Sequence, residues 1–97
     1  MIPRTAYVIR NHRETADTFT VEAAGMDGVS EFLFDPGQFH MLGLPGIGEV
    51  PVSISGDPAA PRTLVHTMRE VGAVTRALTH LRPNDAFTVR GPYGASW

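Results

Sequence analysis

Ninety-seven residues, 42% of them hydrophobic and 19% charged, with a formal net charge of -2, describe one small folded domain rather than a disordered or strongly charged chain. The eight Lys and Arg residues are scattered, so no basic stripe is available for a nucleic-acid backbone. The absence of cysteine excludes disulfides, thiolate metal sites and cysteine nucleophiles within these residues, and the absence of an apolar leader or a ~20-residue apolar run makes a cytoplasmic protein without membrane contact the expectation.

Residues 4–13 (RTAYVIRNHR) alternate Thr5, Tyr7 and Ile9 with Ala6, Val8 and Arg10, which predicts a first strand ending near Asn11. A polar turn at residues 14–17 leads to a second strand over residues 18–23, with Phe19 and Val21 on one face, and the two strands pair antiparallel. Gly25-Met26-Asp27-Gly28 breaks the chain, Phe32-Leu33-Phe34 is a short apolar stretch, and Asp35-Pro36-Gly37 is a turn, because Pro fixes one φ and Gly supplies a positive one. A third strand covers residues 38–44 (QFHMLGL) and closes at Pro45-Gly46-Ile47-Gly48. The fourth, from Glu49 to Gly56, places Val50, Val52 and Ile54 on one face and Pro51, Ser53 and Ser55 on the other, with Pro51 confined to a strand start, edge or bulge.

After the loop GDPAAP, residues 62–71 return to alternation as a fifth strand. The period then changes: Val74, Ala77, Leu78 and Leu81 recur at three- and four-residue spacing, which predicts one helix over residues 73–81, ended by Arg82-Pro83-Asn84-Asp85. Residues 86–90 form a sixth strand, and Gly91-Pro92-Tyr93-Gly94 reads as a turn. Six short strands with turn signals between them imply an all-β fold, a six-stranded antiparallel Greek-key barrel with one α-helix between the fifth and sixth strands, since closure removes exposed edges.

Two stretches carry candidate chemistry. Gly72-Ala73-Val74-Thr75 stands where a strand hands over to a helix, so the first helical amides face outward and suit an anion; a plain Gly turn in which Thr75 caps the helix is the competing reading. Ser53 and Ser55 either face water or lie against a ligand that approaches the strand closely. His12, His40, His66 and His80 lack metal-ligand spacing and read as surface or core histidines, with no metal expected.

The succession Asp35-Pro36-Gly37-Gln38-Phe39, Val50-Pro51-Val52-Ser53-Ile54, Gly72-Ala73-Val74-Thr75 and Gly91-Pro92-Tyr93-Gly94 resembles the flavin-binding domain of the ferredoxin–NADP reductase superfamily. It is most similar to the flavin-bearing electron-transfer subunits of cytoplasmic nickel–iron hydrogenases, sulfhydrogenases and anaerobic sulfite reductases, with the dihydroorotate dehydrogenase electron-transfer subunits close by. The resemblance implies FAD, with FMN the less favoured flavin. Val50, Pro51, Val52 and Ser53 with their backbone would address the ring; His66, Thr67 and Met68 would line the ribityl and adenosine path; Arg69 and the turn of Gly72, Ala73, Val74 and Thr75 would hold the pyrophosphate. Val50 and Val52 stand where the family motif carries an Arg and an aromatic residue, and the missing ion-assisted hydrogen bond corresponds to roughly 1.5–3 kcal/mol unless Arg62 or Arg69 replaces it.

The resemblance further implies an NAD(P)-binding domain beyond Trp97, supplied in the same or another polypeptide, and iron–sulfur or hydrogenase subunits as redox partners. Apolar surface around Tyr93 and Trp97 would favour a homodimer. The alternative from another functional class is a cofactor-free barrel that serves as a self-association or protein-interaction module, and the two valines are what motivate it.

Overall fold

Among residues 3–26 and 31–95, which a computed structural model describes, the elements are β1 (Arg4–Arg13), β2 (Thr18–Gly25), β3 (Phe39–Leu44), β4 (Gly48–Ser53), β5 (Thr63–Arg69), α1 (Ala73–Thr79) and β6 (Ala86–Tyr93). Trp97 and Asp27-Gly28, on which the sequence reading placed an apolar surface and part of a chain break, lie outside the described residues. The strands form one antiparallel sheet in the order β4-β3-β6-β1-β2-β5.

Alternation does what it predicts. Ala6 and Val8 of β1, Phe19, Val21 and Ala23 of β2, Leu42 of β3, Val52 of β4, Leu64 and Met68 of β5, and Phe87 and Val89 of β6 all turn into one core, which Phe32 and Leu78 complete. Ile9 falls at an irregularity in the β1–β2 register between Val8 and Arg10, and is left 47% exposed. Arg4 lies over the Phe32 ring at 3.8 Å from its centroid and donates to the Glu31 carbonyl at 2.9 Å, which fastens the 31–34 stretch to β1.

Several boundaries shift by one or two residues from expectation, and three of the differences have a visible cause. The Gly91-Pro92-Tyr93 segment belongs to β6 rather than to a turn, because the strand continues beside β3 and Tyr93 faces Phe39 across the pair. Their rings stand 5.7 Å apart at 40°. The fourth strand runs from Gly48 to Ser53 and gives way to a single bridge at Ile54, so it is shorter at its far end than the alternation suggests. The helix stops at Thr79: His80 and Leu81 bond the carbonyls three residues back, and the Asn11 side-chain amide of β1 donates to the carbonyls of Leu78, Thr79 and Leu81 at 3.0–3.2 Å. Asn11 thereby satisfies the orphan carbonyls that any helix end exposes.

Barrel closure is only approximate. The edge strands β4 and β5 meet through one isolated bridge, Ile54 with His66, reinforced by Ser55 N–H to Val65 O at 2.9 Å and Thr67 N–H to Ser55 Oγ at 3.2 Å. From there the two strands lack a ladder along the length of β4, and the seam between them opens to the surface.

Candidate functional site: the seam between two edge strands

The open seam is a groove of about 400 Å³ lined by Val50, Pro51, Val52 and Ser53 from β4, by Thr67, Met68, Arg69 and Val71 from β5 and its continuation, and by Thr75 from α1. Its volume is in the range of small-molecule sites. Alternation sets its walls: Pro51 and Ser53 face out on β4, Thr67 and Arg69 face out on β5, and Val52 and Met68 form an apolar floor at 6% exposure each. Ser53 also borders a smaller apolar cavity of about 160 Å³ with Phe34, Pro36, Gln38, Ile54 and Pro58, so the two hollows meet at that serine.

Of the residues expected around a cofactor, the groove brings together Val50, Pro51, Val52, Ser53, Thr67, Met68, Arg69 and Thr75. Gly72, Ala73 and Val74 stand just behind it at the start of α1, with Val74 inward toward Gly48. His66 is placed differently: its side chain is wholly buried, and its Nε2 lies 2.9 Å from His40 Nδ1 in the interior. An inward position follows from alternation, since Leu64, His66 and Met68 share the core face of β5.

Two residues of the helix start are resolved in detail. Thr75, 4% exposed, accepts from Val71 N–H at 2.9 Å and Gly72 N–H at 3.1 Å through Oγ1 and donates to Gly72 O at 3.2 Å. Its hydroxyl is therefore occupied by the loop that precedes the helix. Gly72 has an extended backbone, φ -168°, that any residue adopts, and a Cβ built on it would meet nothing within 4 Å. Packing and φ leave the position open to other residues, while Gly72 is the N-cap of α1, where glycine is favoured over alanine.

Arg69 is the groove's cation. Its side chain is 71% exposed, and its Nε stands 3.5 Å from Asp17 Oδ2, an ion pair of the solvent-screened kind. Asp17 is held below the usual carboxylate range first by hydrogen bonds from the Thr15 and Thr18 hydroxyls and also by Arg69. Glu70, next in sequence, lies 3.5 Å from Arg13 and 3.9 Å from Arg76, so the mouth near α1 is ringed by arginines that are partly neutralised.

Sequence reasoning missed a clamp on the outer side of the sheet. Arg90 of β6 donates to both carboxylate oxygens of Glu49 on β4, Nε to Oε2 at 2.7 Å and Nη2 to Oε1 at 2.6 Å, across the intervening strand β3. The pair lowers the Glu49 carboxyl and raises the Arg90 guanidinium. The strand between them carries Gly43, where an added Cβ would come within 2.8 Å of both Glu49 Cγ and Thr88 Oγ1. A glycine in mid-strand was the available signal. Among the described residues no group of three His, Asp or Glu side chains converges as a metal site, and no helix is long and apolar enough to cross a membrane.

No family model matches the chain. It is 38% identical over 81 residues to the sulfhydrogenase 1 gamma subunit of Pyrococcus furiosus, covering 84% of this chain and 28% of that protein. A probable dihydroorotate dehydrogenase B (NAD(+)) electron transfer subunit of Thermoplasma volcanium is 44% identical over 59 residues, 61% of this chain and 22% of that protein. The chain thus spans about a quarter of the length of these relatives. Among solved structures, phthalate dioxygenase reductase, described as a modular structure for electron transfer from pyridine nucleotides to an iron–sulfur centre, superposes with a TM-score of 0.86 at 13% identity over 96% of this chain and 30% of that one. The flavohem-like FAD/NAD binding domain of nitric oxide dioxygenase from Vibrio cholerae O1 biovar El Tor gives 0.83 at 19% identity over 95% and 44%. The likeness in fold and the likeness in sequence point the same way: the chain is a homologue, over about a quarter of their length, of the sulfhydrogenase gamma and dihydroorotate dehydrogenase electron-transfer subunits, and it shares the fold of the reductase domains that superpose on it.

Proposed function

We propose that this chain is the FAD-binding domain of an oxidoreductase electron-transfer subunit, working between NAD(P)H and a partner redox centre when joined to an NAD(P)-binding domain. The observation that carries the reading is the groove between two unladdered strand edges, with an apolar floor, hydroxyl-bearing walls and one arginine. The residues fit a flavin nucleotide. The flat floor of Val52 and Met68 offers apolar contact to a ring, Ser53 and Thr67 offer hydroxyls along the walls, and Arg69 offers a cation toward phosphate. Gly72 leaves space beside the helix start, with Ala73 and Val74 following, while its own N–H and carbonyl are taken up by Thr75 and Arg76. Thr75 acts through that loop, fixing the Val71 and Gly72 amides rather than presenting its own hydroxyl.

A bound flavin supplies the chemistry that converts a two-electron hydride donor into single-electron steps. The chain's contribution is to bind and orient. Val50 and Val52, in place of the family's arginine and aromatic residue, leave Arg69 as the cation that lines the groove. The NAD(P)-binding domain and partner redox subunits follow from the named relatives and belong to this proposal, as does FAD over FMN.

Incubating the purified protein with FAD, FMN and riboflavin and recording the visible spectrum after desalting tests the reading. FAD is expected to remain bound most strongly. Retention of FMN and FAD alike would make Gly72 and Arg69 a single-phosphate site, and a colourless protein with no thermal shift from any flavin would favour the cofactor-free interaction module suggested by Val50 and Val52.

A further inference from the structure

The interior of the seam holds a feature that flavin binding does not use. His40 of β3 and His66 of β5 are 1% and 0% exposed, their ring nitrogens Nδ1 and Nε2 stand 2.9 Å apart, and the second ring nitrogen of His66 has no partner among the described residues. The pair joins β5, one wall of the groove, to β3, the strand that carries the other wall. His40 sits on β3, which carries β4 on a full ladder, and His66 sits on β5 at the one bridge, with Ile54, that closes the seam. We propose that His40 and His66 are positioning residues of the groove, an interior latch that holds β4 and β5 in register only while both rings are neutral. The proposal rests on the flavin reading for its function, but the latch itself does not.

The surroundings decide how the latch responds to a proton. On β1, Arg4 is the charged group that acts on His40, and its sign opposes protonation; His66 feels His40 alone. Val21 of β2 lies opposite His66, Val52 of β4 lies opposite His40, and β6 brings Gly91 against the His40 ring. No carboxylate of the described residues acts on either ring. A first proton therefore puts an uncompensated cation into the core, and a second leaves two N–H groups facing each other across the hydrogen bond. Burial, with Arg4, lowers the His40 imidazole to about 4, and burial, with His40, lowers His66 to about 3. In the opened seam both rings meet water and regain a value near 6.5, so the open state binds more protons and closure weakens as pH falls from about 6.5 toward 4. At pH 5 the opening equilibrium of the wild-type seam is expected to have risen roughly tenfold or more over its value at pH 7.5.

Amide hydrogen exchange by NMR from pH 7.5 to pH 5, expressed as protection factors, tests this. The Ser55 and Thr67 amides, which close the seam, should lose protection at least tenfold while Val21 and Ala23 in the β2 core hold theirs. The His40→Asn/His66→Gln pair keeps amide groups near Nδ1 and Nε2 but does not titrate, so its seam amides should show no such loss, and FAD affinity should fall with acid in the wild type only. Should the double variant not fold, the wild-type exchange profile together with the ring titration still decides. Parallel loss at seam and core amides, or seam protection that ignores pH, overturns the latch. A protein that binds no flavin at any pH overturns the proposed function while leaving the exchange result to judge the histidines.

Discussion

The proposed function divides the groove's side chains into those that hold the fold and those assigned to a ligand, and substitution separates them. Gly72 has room beside it and an ordinary extended backbone, so Gly72→Ala is expected to cost only the preference for glycine at an N-cap, about 0.5–1 kcal/mol, while the proposed flavin site predicts about tenfold weaker FAD binding from the added methyl. Thr75 is the opposite case. Thr75→Val strands the Val71 and Gly72 amides in a part-buried loop and should cost about 1–3 kcal/mol in denaturant unfolding, with Thr75→Ser recovering most of it. Arg69 belongs with Gly72: Arg69→Gln should reduce FAD affinity roughly three- to tenfold and leave riboflavin, which has no phosphate, unaffected in fluorescence titrations.

At the level of elements, the sheet is legible in the sequence wherever one face is buried. Phe19-Thr20-Val21, Val50-Pro51-Val52 and Phe87-Thr88-Val89 alternate, and each enters the core as alternation demands. The Gly91-Pro92-Tyr93 segment misled because Gly-Pro is a turn signal by local chemistry, whereas the pairing of Tyr93 with Phe39 on the distant strand β3 places it in the sheet. Long-range side-chain contacts were hidden for the same reason. Asn11 capping α1 from β1, Arg90 reaching Glu49 over Gly43, and His40 meeting His66 all join residues that no sequence spacing relates. Gly43 gives the sharpest test at this scale: Gly43→Ala must push Glu49 and Thr88 apart, and overpacking of that kind costs about 1–3 kcal/mol. Pairing it with Glu49→Ala should return part of the loss in equilibrium unfolding, because one of the two clashing atoms is then gone.

Taken whole, the molecule is a sheet whose first and last neighbours in strand order almost meet, and the unclosed seam is where the proposed function places the flavin. The fold could be read from pattern and motif order. The lining of the candidate groove was legible only in part, since Val50 and Val52 carry no polar or aromatic signal and the groove depends on how β4 and β5 face one another across the barrel. A competing hollow of about 550 Å³ lies at the β3–β4 turn, around Leu44, Pro45, Ile47 and the Glu49–Arg90 clamp. The two sites make different demands on a titration of the labelled protein with FAD followed by amide chemical shifts. The flavin reading predicts saturable shifts concentrated at Ser53, Thr67, Arg69 and Gly72, with Ile47, Gly48 and Thr88 unmoved. Shifts centred on Ile47, Gly48 and Thr88, or none anywhere at saturating FAD, would contradict it.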